Sequence, residues 1–398
     1  MAFESGNTMK AVWAMGLAAL LAAAPAPAHD EHAPPAFAGA WKGTIGTAPV
    51  MACFTIHGEA TYYYLRHRRG ILLRPRGDET RHGGDEAVEK ALRTGKLELD
   101  ERAPAPELKT TLTGRWSLAP AKDGALAGQW SDPAGTKTLP IALTRATSPA
   151  GPSRSMPESG CPEAFHAPIR AAVKPVRKED AFQGKAYGRL STPDAEAFSP
   201  SPSMPHAAAL ERIARTWLED QAVFAFDCTR GRGSPEPLGR TLLPIEWNSR
   251  FLVLQDSLPE TYCGGAHGFY DTSYLTWSLE AGRKVDTWSW IAGGQGAVAS
   301  VPRKDGSSRP TPLFAALVKA HPRNAKDDEC AEFIGQMTVD SPIGTAKGLV
   351  FPNSFGHAIR VCGEDIVVPW TTVAPFLSPA GRDAASAWAA SGPKASAR

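Results

Sequence analysis

The sequence predicts an α+β protein in two parts, a small antiparallel β-barrel or sandwich over residues 38–147 and an α+β domain over residues 161–378. Three Gly-x-Trp units among short strand-like runs predict the first part. A long amphipathic segment followed by hairpin-spaced strands predicts the second. Residues 148–160 are rich in Pro, Ser and Gly, which is typical of a linker between domains.

The first part repeats a glycine two residues before a tryptophan. The three units are Gly39-Ala40-Trp41, Gly114-Arg115-Trp116 and Gly128-Gln129-Trp130. Such a glycine lets a neighbouring strand approach closely while the indole fills the core. Between these units, Gly70 suits a hairpin turn between the runs 61–65 and 71–73. A basic cluster on this hairpin either binds an anionic partner or forms its solvated face; it consists of Arg66, Arg68, Arg69, Arg74 and Arg76.

The second part mixes helices with strands. Apolar residues at three- and four-residue spacing predict a helix over Ala207–Phe226. Thr311 as N-cap and Pro312 at the first helical position predict another helix, which ends before Pro322. The predicted strands are Thr241–Trp247, Phe251–Ser257, Tyr270–Leu279, Gly348–Phe351, Ala358–Cys362 and Asp365–Val368. Residues 379–398 are rich in Ala and Ser and predict a disordered tail.

The first 28 residues have the pattern of a signal peptide. Lys10 precedes an apolar stretch from Ala11 to Ala24, and Ala26-Pro27-Ala28 predicts cleavage before His29. Met9 is an alternative start to Met1. We therefore expect an exported protein, periplasmic or secreted, with no membrane span in the mature chain.

The balance of charges bears on the class of partner, and the number of cysteines bears on disulfide formation. The 43 Lys and Arg residues nearly balance 41 Asp and Glu residues, which disfavours nucleic acid as a partner. An even number of cysteines in an exported chain predicts disulfides. The preferred pairs are Cys228 with Cys263 and Cys330 with Cys362, which leaves Cys53 to pair with Cys161.

The segment Thr261–Tyr270 (TYCGGAHGFY) contains the most recognisable pattern in the chain, a Gly-Gly-Ala-His-Gly core. This segment, the follow-on run Ser273–Val285 and the ending Phe351–Val361 with Ile366–Trp370 resemble the family called domain of unknown function 3298. The resemblance covers residues 174–377 and leaves the N-terminal unit unrecognised. Similar domains include the lysozyme-sensing part of an anti-sigma factor. The resemblance thus implies a binding role in the cell envelope, with lysozyme, another envelope protein or peptidoglycan fragments as partners.

His267 is the strongest candidate for chemistry, because flanking glycines let a ligand approach it. In a catalytic interpretation His267 is a general base and Asp271 orients it. In a structural interpretation, which we prefer, the glycines form a tight bulged turn and Cys263 belongs to a disulfide. The sequence has no HExxH, GxSxG or GxGxxG pattern, so we expect neither a metal nor a cofactor.

Aromatic residues after the motif are the remaining binding candidates. Trp277, Trp288 and Trp290 lie close together in the sequence, and Trp288 and Trp290 share a side of an extended chain. With His267 they either contact a partner or sugar ring, or they pack in the core. The sequence as a whole predicts a non-catalytic binding protein. The alternatives are a cell-wall hydrolase that uses His267 and a structural envelope protein.

Overall fold

The structure is a computed structural model, and its described part consists of residues 37–55, 60–76, 94–104, 110–147, 161–229, 238–263, 268–298, 300–302, 308–321, 338–354 and 363–390. The predicted signal peptide at 1–28, the predicted linker at 148–160 and the predicted strand Ala358–Cys362 lie outside these residues. Within them, no helix has both the length and the apolar character needed to cross a membrane.

The first unit is a closed antiparallel barrel in which the strands follow one another in chain order. Its described strands are β1 Gly39–Ile45, β2 Ala48–Phe54, β3 Ala60–Tyr64, β4 Ile71–Pro75, β5 Leu97–Pro104, β6 Thr110–Pro120, β7 Leu126–Ser131 and β8 Thr138–Arg145. The barrel closes because β1 pairs with both β2 and β8. Of the two predicted forms, the structure is therefore the barrel and not the sandwich.

Two of the three Gly-x-Trp units place their tryptophans in the barrel core as the sequence predicts, while Trp130 of the third is half-buried. Trp41 and Trp116 are fully buried in the barrel core. A Cβ atom on Gly128 would lie 1.8 Å from the carbonyl oxygen of Ser117 on the paired strand. Because a side chain cannot fit there, glycine is needed for β6 and β7 to pair.

The barrel core also holds a buried carboxylate, Glu101, which the sequence analysis does not anticipate. Its Oε2 atom accepts hydrogen bonds from Tyr62 Oη at 2.7 Å, Trp130 Nε1 at 2.8 Å and Trp116 Nε1 at 3.2 Å. Its Oε1 atom accepts a fourth from Thr113 Oγ1 at 2.9 Å. Burial, and then the Glu101 charge, raise the pKa of Tyr62 well above its usual value, so this phenol stays protonated and remains a donor.

The second unit is built on a seven-stranded mixed sheet with the strand order β15-β14-β13-β12-β11-β10-β9. The strands are β9 Val176–Phe182, β10 Lys185–Ser191, β11 Ala195–Ser199, β12 Arg240–Trp247, β13 Phe251–Thr261, β14 Phe269–Ser278 and β15 Arg283–Lys284. Helix α1 is Glu163–Arg170, and α2, Ala207–Thr229, connects β11 to its parallel neighbour β12. The other pairings are antiparallel, which confirms the α+β class.

Both faces of this sheet are covered, as the alternation in β13 illustrates. Leu252 and Leu254 lie in one core with α2, while Phe251 and Val253 point to a second core. The elements of the remaining chain are β16 Ser300–Pro302, β17 Ser308–Pro310, α3 Pro312–Ala320, β18 Thr338–Val339, β19 Ile343–Thr345, β20 Gly348–Phe351, β21 Asn353–Ser354, β22 Ile366–Val368, α4 Trp370–Val373 and α5 Pro379–Ala389.

The C-terminal segment differs from the predicted disordered tail. Over Pro379–Ala389 it is the helix α5, and the side chain of Ser378 caps it by accepting a hydrogen bond from the Gly381 amide. Trp388 is fully buried and stacks on Phe251 at a ring-centroid distance of 6.1 Å. The alanines that suggested low complexity favour a helix, and one buried indole holds that helix on the core. Residues 391–398 lie outside the described part.

A shared apolar cluster joins the barrel to the second unit. It combines Cys53 and Tyr63 from the barrel wall with Phe165 of α1 and Phe226 of α2. The Tyr63 hydroxyl donates to the Phe165 carbonyl oxygen at 2.6 Å. A disulfide between Cys53 and Cys161 adds a covalent link, as the sequence predicts.

Candidate binding surface

The recognisable motif connects β13 to β14 at one end of the large sheet. The register of this hairpin shifts between Leu258 and Thr261, as expected for a bulged hairpin end. Cys263 forms a disulfide with Cys228 at the end of α2, which confirms the predicted pair, so Cys263 itself offers no free thiol for catalysis. His267 and the predicted pair Cys330–Cys362 lie outside the described residues.

Gly268, the last glycine of the motif, makes room for a tyrosine ring. A Cβ atom at this position would lie 2.8 Å from Cζ of Tyr262 and 2.8 Å from Cγ of Glu260. Real Cβ atoms essentially never make such short non-bonded contacts, so a larger residue would displace the Tyr262 ring or the Glu260 side chain. The Tyr262 hydroxyl in turn donates to Glu260 Oε1 at 3.3 Å. The lack of a side chain at Gly268 thus allows the Tyr262 ring and the Glu260 side chain to lie next to each other.

Two tyrosines of this hairpin are exposed to solvent. Tyr262 is 53% exposed and Tyr270 is 42% exposed, whereas most large apolar and aromatic side chains of the described part are buried or half-buried. We define the hairpin tip as Glu260, Tyr262, Tyr270 and Asp271. An exposed pair of tyrosines is typical of a binding surface, because each ring offers apolar area and a polar hydroxyl.

Asp271 is held by an arginine and not by a histidine of the described residues. Arg240 Nη2 lies 2.7 Å from Asp271 Oδ2, and Arg240 Nε lies 2.6 Å from Asp256 Oδ1. Trp217 of α2 donates to the other oxygen of Asp256 at 2.8 Å. The guanidinium therefore bridges β13 and β14 and fixes the carboxylate at the hairpin tip.

Further carboxylates lie along β14. Burial, and then the charge of Asp271, raise the pKa of Asp340. The hydroxyl of Tyr274 donates to Asp365 Oδ2 at 3.1 Å, while burial together with the Asp365 charge raises the pKa of Tyr274 to about 12. Asp365 thus contacts β14 through Tyr274, whereas the charge of Asp271 is paired with that of Arg240.

The predicted tryptophan surface is not formed. Trp277 is 2% exposed and belongs to the core under α2, and Trp290 is 3% exposed in the second core. Trp288 is half-buried against the second core. The residues Thr287–Trp290 form a 3₁₀ helix and not an extended chain, so Trp288 and Trp290 do not share one side as the sequence predicts.

The exposed tyrosines were not among the predicted binding residues. Tyr262 and Tyr270 lie in the motif Thr261–Tyr270, and their place on either side of the Gly-Gly-Ala-His-Gly run was the available signal. The Arg240–Asp271 pair had no sequence signal, because the two residues are 31 positions apart. Within the described residues, no group of three or more His, Cys, Asp or Glu side chains is arranged to hold a metal.

Comparison with solved structures finds similarity to proteins of the DUF3298 family. One is a family protein from Pseudomonas aeruginosa PAO1, with 13% identity, a TM-score of 0.33, and coverage of 52% of this chain and 94% of that chain. Another is a member from Bacteroides fragilis NCTC 9343, with 15% identity, a TM-score of 0.31, and coverage of 54% and 96%. These structures belong to the family that the motif resembles, and the matches cover about half of this chain. No protein-family model and no curated protein matches the sequence.

Proposed function

We propose that this chain is an exported, non-catalytic binding protein of the cell envelope, periplasmic or secreted, which recognises a protein or glycan partner with the hairpin tip. The observation that carries the proposal is the pair of exposed tyrosines, Tyr262 and Tyr270, on a hairpin end that the Cys228–Cys263 disulfide ties to α2. Disulfides are compatible with an extracytoplasmic location, where they persist.

Tyrosine side chains suit recognition of either partner class. A tyrosine ring contributes a large contact area and loses little conformational entropy on binding, because it has only two rotatable bonds. It also stacks on sugar rings while its hydroxyl remains solvated. Glu260 places a carboxylate beside the Tyr262 ring, whereas the charge of Asp271 is paired with that of Arg240. Lysozyme and soluble peptidoglycan fragments are the partners that the family resemblance suggests.

The test is calorimetric titration of the purified protein with lysozyme and with soluble peptidoglycan fragments. We expect saturable binding to one of them without cleavage products, and Tyr262→Ala together with Tyr270→Ala should weaken it at least about tenfold. Val176→Ala is the matched control, because Val176 is 62% exposed on the distant edge strand β9. This control should bind like the original chain.

A parallel His267→Ala variant separates binding from catalysis. Binding that survives in this variant, with no product in any sample, supports the proposed function. Product formation that disappears in His267→Ala would replace the proposal with the hydrolase alternative. Binding that is equally strong in the double tyrosine variant would show that the hairpin tip is not the recognition surface.

A further inference from the structure

A pocket of about 370 Å³ lies where the barrel meets the second unit. Four segments that are distant in sequence form its walls: the turn between β3 and β4, the end of α1 with the residues after it, the turn between β10 and β11, and the last third of α2. This volume is within the range of about 300–1,000 Å³ that small-molecule sites occupy. The pocket is separate from the hairpin tip, since none of the four tip residues lines it.

Positive charge dominates the rim of the pocket. Arg68 and Arg69 come from the β3–β4 turn, and Lys174 comes from the segment after α1. All three side chains are exposed to solvent, and among the described lining residues the carboxylate is that of the half-buried Asp194. Three cationic side chains against one carboxylate among these residues favour an anionic ligand.

The floor of the pocket is apolar. Ile169 and Val173 contribute from the α1 side, and Phe226 contributes from α2. Small alanines of both segments complete the lining and leave the space open. A ligand with an apolar body would displace water from this surface, which is favourable by about 25 cal/mol per Å² of apolar area buried.

The walls are held in place before any ligand binds. The rings of Tyr63 and Phe226 make an edge contact at a centroid distance of 5.2 Å, and Phe165 packs on both. Arg68 is fixed in a left-handed turn conformation with φ of 49°, and its amide donates to the Tyr64 carbonyl oxygen at 2.8 Å. The backbone that carries the arginines therefore needs little ordering when a ligand arrives.

We propose that this pocket binds a small amphipathic organic anion, whose apolar body lies on the floor around Phe226 and whose carboxylate or phosphate group lies between Arg68, Arg69 and Lys174. Guanidinium groups suit this role because their planar N–H donors pair with two oxygens of an anion at once. The site is independent of the hairpin tip, so it stands or falls separately from the proposed function.

The test is calorimetric titration of the full chain with octanoate, octyl phosphate, octanol and octylamine, which share one apolar chain. We expect octanoate or octyl phosphate to bind saturably and octanol and octylamine to bind at least about tenfold more weakly, because only the anions gain charge-assisted hydrogen bonds. The stronger of the two anions identifies the head group as carboxylate or phosphate. Octanol or octylamine that binds as tightly as the stronger anion would overturn the proposal, and so would the absence of binding by both anions.

Two variants locate the site on the protein. Arg68→Gln combined with Arg69→Gln should weaken anion binding at least about tenfold, while Arg66→Gln on the same exposed turn but outside the lining should leave it unchanged. Ala172→Trp places a large ring in the pocket and should abolish binding of the anion. Equal affinity in the double arginine variant and in the original chain would refute this location.

Discussion

Replacing Glu101 tests whether the buried carboxylate organises the barrel core. Its side chain is only 6% exposed and accepts four hydrogen bonds from the side chains of Tyr62, Trp116, Trp130 and Thr113. In the variant Glu101→Leu these donors lose their acceptor. Trp130 and Thr113 are half-buried and can turn to water, but Tyr62 and Trp116 are fully buried.

The two fully buried donors determine how much Glu101→Leu lowers the free energy of unfolding. Each unsatisfied buried donor costs about 1–3 kcal/mol, so Tyr62 and Trp116 together cost about 2–6 kcal/mol. Part of this loss in the free energy of unfolding is offset, because Glu101→Leu also removes a buried carboxylate that is costly to desolvate. We therefore expect Glu101→Leu to lower the free energy of unfolding by about 3 kcal/mol. Glu101→Gln should cost less, about 1–2 kcal/mol, because one carbonyl oxygen remains as an acceptor.

Urea unfolding followed by tryptophan fluorescence measures both variants, since Trp116 and Trp130 report directly on the barrel. The slope of the free energy against urea should not change, while the midpoint should fall in the order original, Gln, Leu. Equal stability of Glu101→Leu and the original chain would refute the reasoning, because it would mean that the core repacks without an acceptor. A larger loss of the free energy of unfolding in Glu101→Gln than in Glu101→Leu would refute the expected order of the two variants.

Three further perturbations follow from the described contacts. Replacing both Cys53 and Cys161 by Ala opens a loop of 108 residues and should lower the free energy of unfolding by about 4–5 kcal/mol. Urea unfolding of the original chain that is equal with and without reductant would contradict this. Burial raises the pKa of Asp194 in the folded protein. Above this raised pKa, the buried negative charge lowers the free energy of unfolding. Below the unfolded pKa of about 4, the carboxyl is protonated in both states and has no such effect. Asp194→Asn should therefore stabilise the protein at pH 7 but not at pH 3, and an equal gain at both pH values would exclude this cause. Trp388→Ala should cost about 3–5 kcal/mol in the same assay, and a loss under about 1 kcal/mol would mean that α5 does not complete the core.

Local patterns predicted several of the regular elements, because periodicity and capping act over a few residues, but they did not predict β9, β10 and β11. The helix predicted at Ala207–Phe226 is Ala207–Thr229, and Thr311 caps Pro312–Ala320 as its sequence indicates. The strand predicted at Phe251–Ser257 extends to Thr261. The prediction ended too early there because Pro259, which cannot donate a hydrogen bond to a neighbouring strand, interrupts the strand pattern.

The candidate sites were harder to predict, because they depend on contacts between distant segments. The tryptophan prediction assumed an extended chain at Trp288, although Asp286 caps a 3₁₀ helix there by accepting a hydrogen bond from the Trp288 amide. The pocket combines Arg68 with Lys174 and Asp194, whose proximity only the packing of the barrel on α1 and α2 creates. No pattern within one segment carries that information.

The end of α2 connects the two sites that the structure suggests. Phe226 lines the pocket, and Cys228, two residues later, is bonded to Cys263 next to the hairpin tip. Both residues are buried, and the aromatic cluster around Tyr63 and the disulfide fix this helix turn from two sides. A surface that is rigid before binding loses little entropy when a partner arrives, so more of its contact energy appears as affinity. Rigid supports of this kind suit recognition by preformed surfaces, which is the role proposed for both the hairpin tip and the pocket.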